Sequence, residues 1–130
     1  MTKQIFRAAF AAALLFGAPV LGASSAQAAG DPARGKAAFQ AQCAICHATV
    51  PGKTLVGPSL AGVAGRAAGK GASFAYSPAL AKAGFKWDAA HLDLWLTAPA
   101  KLVPGNRMPY AGMANAAQRG DVVAYLGTLK

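Results

Sequence analysis

Cys43-Ala44-Ile45-Cys46-His47 is the stretch on which the reading of this chain turns. Two cysteines three positions apart lie on one side of a helical turn. Their thiols can therefore add across two vinyl groups of a single ring to give two thioethers. The histidine that follows lies under that ring and can offer a nitrogen to a metal at its centre. Cys-x-x-Cys-His is the pattern of covalent c-type haem attachment. The second ring nitrogen of such a histidine needs a partner that fixes its tautomer. The carbonyl of Pro58, in Gly57-Pro58-Ser59-Leu60, is the candidate.

Taken without the histidine, Cys-x-x-Cys also fits a thiol redox pair, half of a zinc site or a simple disulfide. The redox pair calls for a βαβ context, and no such pattern is visible. A Cys₂His₂ zinc site would have to recruit both His47 and His91 without any family spacing. Cys43 and Cys46 are the only cysteines in the 130 residues, which excludes a multi-disulfide scaffold.

Upstream, Lys3 and Arg7 precede an uncharged apolar run from Ala8 to Leu21. Small residues follow and end in Ala26-Gln27-Ala28. This three-part pattern predicts a secretory signal peptide over residues 1–28, cleaved after Ala28. The apolar run is shorter than the roughly 20 residues a membrane-spanning helix needs. The expected product is an exported, periplasmic domain over residues 29–130 that does not span the membrane.

The formal net charge is +9, and loss of the two leader bases lowers it to +7. A basic surface attracts acidic partners over about a Debye length, roughly 8–10 Å. Nucleic acid is disfavoured: the bases are scattered from Arg34 to Lys130, and neither a zinc-finger spacing nor a glycine-aromatic RNA motif occurs. An acidic protein surface is the better partner.

Downstream, punctuation predicts an all-α domain with long loops. Asp31-Pro32 opens a first helix that runs toward Cys43. Residues 49–73, rich in Gly and carrying Pro51 and Pro58, are expected as loop. Ser77-Pro78 opens a short helix that Gly84 stops. Asp88 caps another, with Leu92, Trp95 and Leu96 on its apolar side and Pro99 at its end. Residues 99–114 are expected as loop. Asn115 and Gln118 resemble a capping box for a last helix, with Val122, Leu126 and Leu129 on one face. Some 100 residues with loops this long bury a modest core. A large apolar cofactor in the middle would make up the deficit.

Together these segments resemble a class I cytochrome c of the soluble bacterial periplasmic type, over nearly the whole domain. The matching residues are Gly35, Phe39, Cys43 to His47, Gly57 to Leu60, Phe74 to Tyr76, Trp87, Leu92 to Pro99, Pro104 to Met108 and Asp121 to Leu126. The resemblance implies the cytochrome c fold, four to five helices around one haem c bound through Cys43 and Cys46. It implies a monohaem, one-electron carrier rather than an enzyme. Implied partners are redox proteins with acidic docking surfaces, such as a membrane oxidase, a reaction centre or a periplasmic reductase or dehydrogenase. A monomer is expected.

In the resembled family the Pro-Gly turn precedes the axial methionine, which places that role on Met108, opposite His47. A thioether is a soft, neutral donor that raises the potential of the iron. Met113 is read as packing or surface, and His91 as a helix residue. The resemblance also brings Arg66, Tyr76 and Trp87 to a haem propionate. Gly35, Phe39 and Tyr125 form the crossing of the first and last helices. Lys53, Lys101 and Arg107 are the docking candidates, although Ala37 and Gln42 stand where bases are common. Competing readings are a gas-binding or peroxidatic haem protein in which Met108 is off the iron, a thiol–disulfide oxidoreductase, and a cytochrome dedicated to one enzyme.

Overall fold

The structure, a computed structural model, describes residues 29–130. The predicted leader, residues 1–28, lies outside the described residues. Five helices follow one another: α1 (Pro32–Gln42), α2 (Pro78–Ala81), α3 (Ala89–Thr97), α4 (Pro99–Leu102) and α5 (Ala116–Thr128). Among the described residues the one β feature is an isolated antiparallel bridge between Ala67 and Lys86. The class is all-α with long loops.

Four helix starts are closed by a side chain. Asp31 accepts from the amides of Ala33 and Arg34, Ser77 from Leu80, Asp88 from His91 and Asn115 from Gln118. Each such cap is worth about 1 kcal/mol. At Asn115 the recorded bond is the one from the Gln118 amide, which is one half of a capping box.

The segment from residue 99 corrects the sequence expectation. It begins with a turn of helix, α4, and becomes loop only after Leu102. Ala98 is extended (φ −164°, ψ 90°) and breaks α3, while Pro99 occupies the first position of the next helix. Proline there loses no hydrogen bond, because that N–H has no helical partner in any case. The same residue therefore ends one helix and starts another.

Helices α1 and α5 cross closely. A Cβ on Gly35 would collide with the backbone carbonyl of Asp121, so this contact requires glycine. Phe39 lies beside Tyr125 with ring centroids 5.4 Å apart. Across the same crossing Arg34 donates from Nε and Nη2 to both carboxylate oxygens of Asp121 (2.8 and 3.0 Å), which also accepts from the amide of Asp31. Val122 and Leu126 are buried beneath, with Leu129 partly buried on the same face. Helix α3 adds Leu92, Trp95 and Leu96 to this core. Trp87 meets Trp95 and Phe85 edge-on, at 5.2 and 4.9 Å.

Candidate functional site

Between α1, α3, α5 and the loops lies a cavity of about 480 Å³. That lies within the roughly 300–1,000 Å³ of cofactor and ligand sites. Phe39, Leu60, Leu80, Leu92, Leu96 and Val122 give it an apolar wall. Cys43, Cys46, His47, Pro58, Arg66, Tyr76, Trp87 and Met108 all border it. The structure thus brings together every residue that sequence reasoning assigned to the cofactor.

α1 delivers the cysteines. The chain turns directly after Gln42, where the amides of Cys46 and His47 bond to the carbonyl of Cys43 (3.0 and 2.9 Å). Burial, and then the neighbouring Cys46, push the Cys43 thiol up from its ordinary range. A thiol redox pair needs the opposite shift, toward an available thiolate. Cys43 is therefore not the activated thiol that such a pair would use.

His47 is held on its far side. Its Nδ1 lies 2.8 Å from the carbonyl oxygen of Pro58. A carbonyl can only accept, so Nδ1 carries the proton and donates it. Nε2 is left with a lone pair. Burial pushes the imidazole below its ordinary pKa, which the Pro58 carbonyl partly offsets, so the ring is neutral at pH 7. Gly57 makes this possible: a Cβ there would collide with the His47 ring. The segment is pinned by a bond from the Gly57 amide to the carbonyl of Cys46 (2.8 Å).

Met108 reaches the cavity from the loop after α4. Gly105 takes a positive φ of 85° in the turn before it. Asn106 then accepts from the Met108 amide (2.8 Å) and donates to the carbonyl of Val103 (2.9 Å). The other methionine of the described residues, Met113, is buried in the core and does not border the cavity. His91 is also elsewhere. It stacks on Phe85 (4.5 Å, 7°), and its Nδ1 lies 2.8 Å from Asp88. Among the described residues no three His, Cys, Asp or Glu side chains converge as metal ligands, which opposes the zinc reading.

Arg66 donates to the carbonyls of Ala61 (3.1 Å) and Ser59 (3.3 Å) while its side chain borders the cavity. Tyr76 stands edge-on to Phe74 at 4.9 Å. Arg107 borders the cavity too and donates to the carbonyl of Tyr76 (2.9 Å). Lys53 and Lys101 are exposed outside it.

Sequence reasoning missed three contributors. Gly57 is one, because its role depends on a contact 10 residues away in the chain. Asn106 is another, although an Asn after Pro-Gly is a turn former that bonds its own backbone. The third is Tyr110, which borders the cavity and donates from its hydroxyl to Oε1 of Gln42 (2.9 Å). Burial, then Cys43, raise its pKa.

An apolar, slot-lining wall, two thiols, a neutral imidazole with a free Nε2 and a thioether form a donor set that fits a haem. Comparison with known proteins agrees. The family model for cytochrome c matches residues 32–130. Cytochrome c2 of Rhodoblastus acidophilus is 48% identical over 103 residues, covering 78% of this chain and 95% of that protein. Cytochrome c2 of Rhodomicrobium vannielii is 43% identical over 115 residues, covering 88% and 91%. The solved structure of cytochrome cH from Methylobacterium extorquens superposes with a TM-score of 0.71 at 44% identity, covering 76% of this chain and 99% of that one.

Proposed function

The chain belongs to the cytochrome c family, and from that premise we propose that its iron is held between His47 and Met108 in an exported carrier of single electrons. It is an electron-transfer protein rather than an enzyme, and it carries one haem c attached through Cys43 and Cys46. One observation carries the axial assignment. His47 and Met108 border the same cavity, whereas Met113 and His91 do not.

When bound, the haem supplies a one-electron couple at its iron. The chain's own residues do the rest. Pro58 holds the proton on Nδ1 of His47 and so presents Nε2. The Pro104-Gly105 turn and Asn106 present the Met108 thioether without an ordering cost at each electron exchange. The apolar wall excludes water, so that little solvent has to reorganise when the charge changes. Thioether ligation favours the reduced state and raises the potential. Arg66, Tyr76 and Trp87 are the proposed partners of the propionates; all three border the cavity, and Arg66 brings a cation to it.

Residues 1–28 act as a cleaved signal peptide in this reading, with the domain from residue 29 in the periplasm. Its support is the charged, apolar and small-residue succession ending at Ala28. Among the described residues no helix is long and apolar enough to cross a membrane. The carrier works as a monomer, and it works on redox partners with acidic docking surfaces, the latter drawn from the +7 formal charge left once the two leader bases are gone from the +9 of the full sequence.

The deciding experiment is an intact mass of the exported product together with oxidised and reduced spectra. Expected are the mass of the chain from residue 29 plus one haem and a weak ferric band near the red edge of the visible range, the sign of thioether ligation. A ferric spectrum without that band, with rapid carbon monoxide binding in the ferrous state, would remove Met108 from the iron.

A further inference from the structure

The loop that delivers Met108, residues 103–115, has a second set of fastenings at its downstream end, centred on a side chain that does not border the cavity. They gather at Arg119 on α5. Its side chain is only 12% exposed. Nη1 donates to the carbonyls of Met113 (2.8 Å) and Ala114 (3.0 Å), at the downstream foot of the loop. Nε donates to Oδ1 of Asp93 on α3 (2.8 Å). The same foot is fixed to α3 by a bond from the Met113 amide to the carbonyl of Leu96 (2.7 Å). Gly112 has φ +113°, and a Cβ there would run into the carbonyl of Thr97. α3, α5 and the loop foot therefore meet at one guanidinium.

Between this foot and Met108 the backbone is tied only to itself, by a bond from the Tyr110 amide to the carbonyl of Met108 (2.9 Å), which moves with the loop rather than anchoring it to a helix. Pro109 has no N–H to donate, and the Tyr110 hydroxyl bonds to Gln42, an exposed residue. We propose that Arg119, oriented by Asp93, is a positioning residue for Met108: it clamps the loop foot and so sets how often the thioether leaves its place. This rests on the reading of Met108 as an axial ligand. Arg119 does not border the cavity, so it acts through the backbone of residues 109–114. The residue type follows from the geometry. A guanidinium offers donors on separate nitrogens in a rigid fork, and can serve a carboxylate and two carbonyls at once. A lysine ammonium is a point charge on a flexible stem and cannot hold the same three acceptors in place.

The test uses holoprotein carrying Arg119→Gln, Arg119→Lys or Asp93→Asn, with Met108→Ala as reference. The ferric protein takes up imidazole only when Met108 has left the iron, so the uptake rate reads loop opening. Arg119→Gln should speed uptake about tenfold, the equivalent of roughly 1.4 kcal/mol. It should also lower the potential, and the red-edge band should be lost at a lower temperature than the helical signal. Arg119→Lys should fall between it and the native chain, and Asp93→Asn should show the smallest change. If Arg119→Gln does not fold, the other two variants carry the same test. Uptake rate and potential unchanged in the variants that fold, even with a lowered melting temperature, would overturn the proposal. If Met108→Ala itself keeps the band and the native uptake rate, it is the ligand reading that fails.

Discussion

Asp121 and Arg34 lock the first helix to the last: both carboxylate oxygens of one meet the guanidinium of the other, across 87 residues of sequence. The carboxylate is nearly buried, while the Arg34 side chain stays 67% exposed. The hydrogen bonds from Arg34, then the amide of Asp31, hold the Asp121 carboxyl below its ordinary pKa. A carboxyl that titrates lower when folded adds stability above its unfolded value, about 3.9, and that contribution is lost as pH falls through the folded value. Asp121→Asn should therefore lower the unfolding midpoint at pH 7, with a difference from the native chain that shrinks toward acid. Denaturant unfolding of both proteins at a series of pH values checks this. A difference constant with pH would mean that the carboxylate charge is not the cause.

Gly57→Ala should displace His47. The added methyl meets the imidazole ring and the backbone is pinned to Cys46, so neither side can yield freely. Overpacking of this kind costs about 1–3 kcal/mol. The yield of correctly ligated holoprotein and its melting temperature are the measurements, and both should fall.

Met108→Ala should leave the haem attached, since Cys43 and Cys46 are untouched. Voltammetry should show the potential lowered by on the order of 0.2 V, within the roughly 0.8 V over which axial ligands set haem potentials. Met113→Ala should leave the potential near its native value and instead cost about 2–5 kcal/mol of stability as a core truncation. An unaltered potential in Met108→Ala would show that another group completes the iron.

Cys46→Ser removes one of the two attachment points and should cut the amount of exported holoprotein sharply. Mass spectrometry reports how many thioethers form, and a normal yield of doubly linked product would contradict the attachment scheme.

If docking is electrostatic, electron transfer to an acidic partner should slow as salt rises, because rim charges act mainly on the association rate. Lys53→Ala and Lys101→Ala should flatten that dependence. Arg107 is less useful for this test, since its guanidinium also holds the carbonyl of Tyr76 and its loss would disturb the cavity rim.

Local chemistry made most of this architecture legible. Asp31, Ser77, Asp88 and Asn115 are cap residues whose side chains can only serve the turn that follows, and each does so. Cys43, Cys46 and His47 carry their meaning in their spacing. Pro99 marks the end of α3 as the sequence implies, but the helical turn it also starts is hidden, because a proline both stops a helix and suits the first position of the next. What stayed hidden depends on contacts between distant segments. Gly57 is an ordinary loop glycine until His47 is folded against it, and Tyr110 gives no sign of its bond to Gln42, 68 residues away. Arg119 likewise reads as one more basic residue until α3 supplies Asp93.

The crossing at Gly35 has a bearing on the order of assembly. α1 comes first among the helices of the described residues, yet its main partner is α5, the last of them. A nascent polypeptide that has reached His47 still lacks the surface on which Phe39 closes. The attachment cysteines thus sit beside an unfinished joint until α5 has been made, and a fragment ending before residue 116 would keep the haem-binding motif and lose the clasp that shuts the domain behind it.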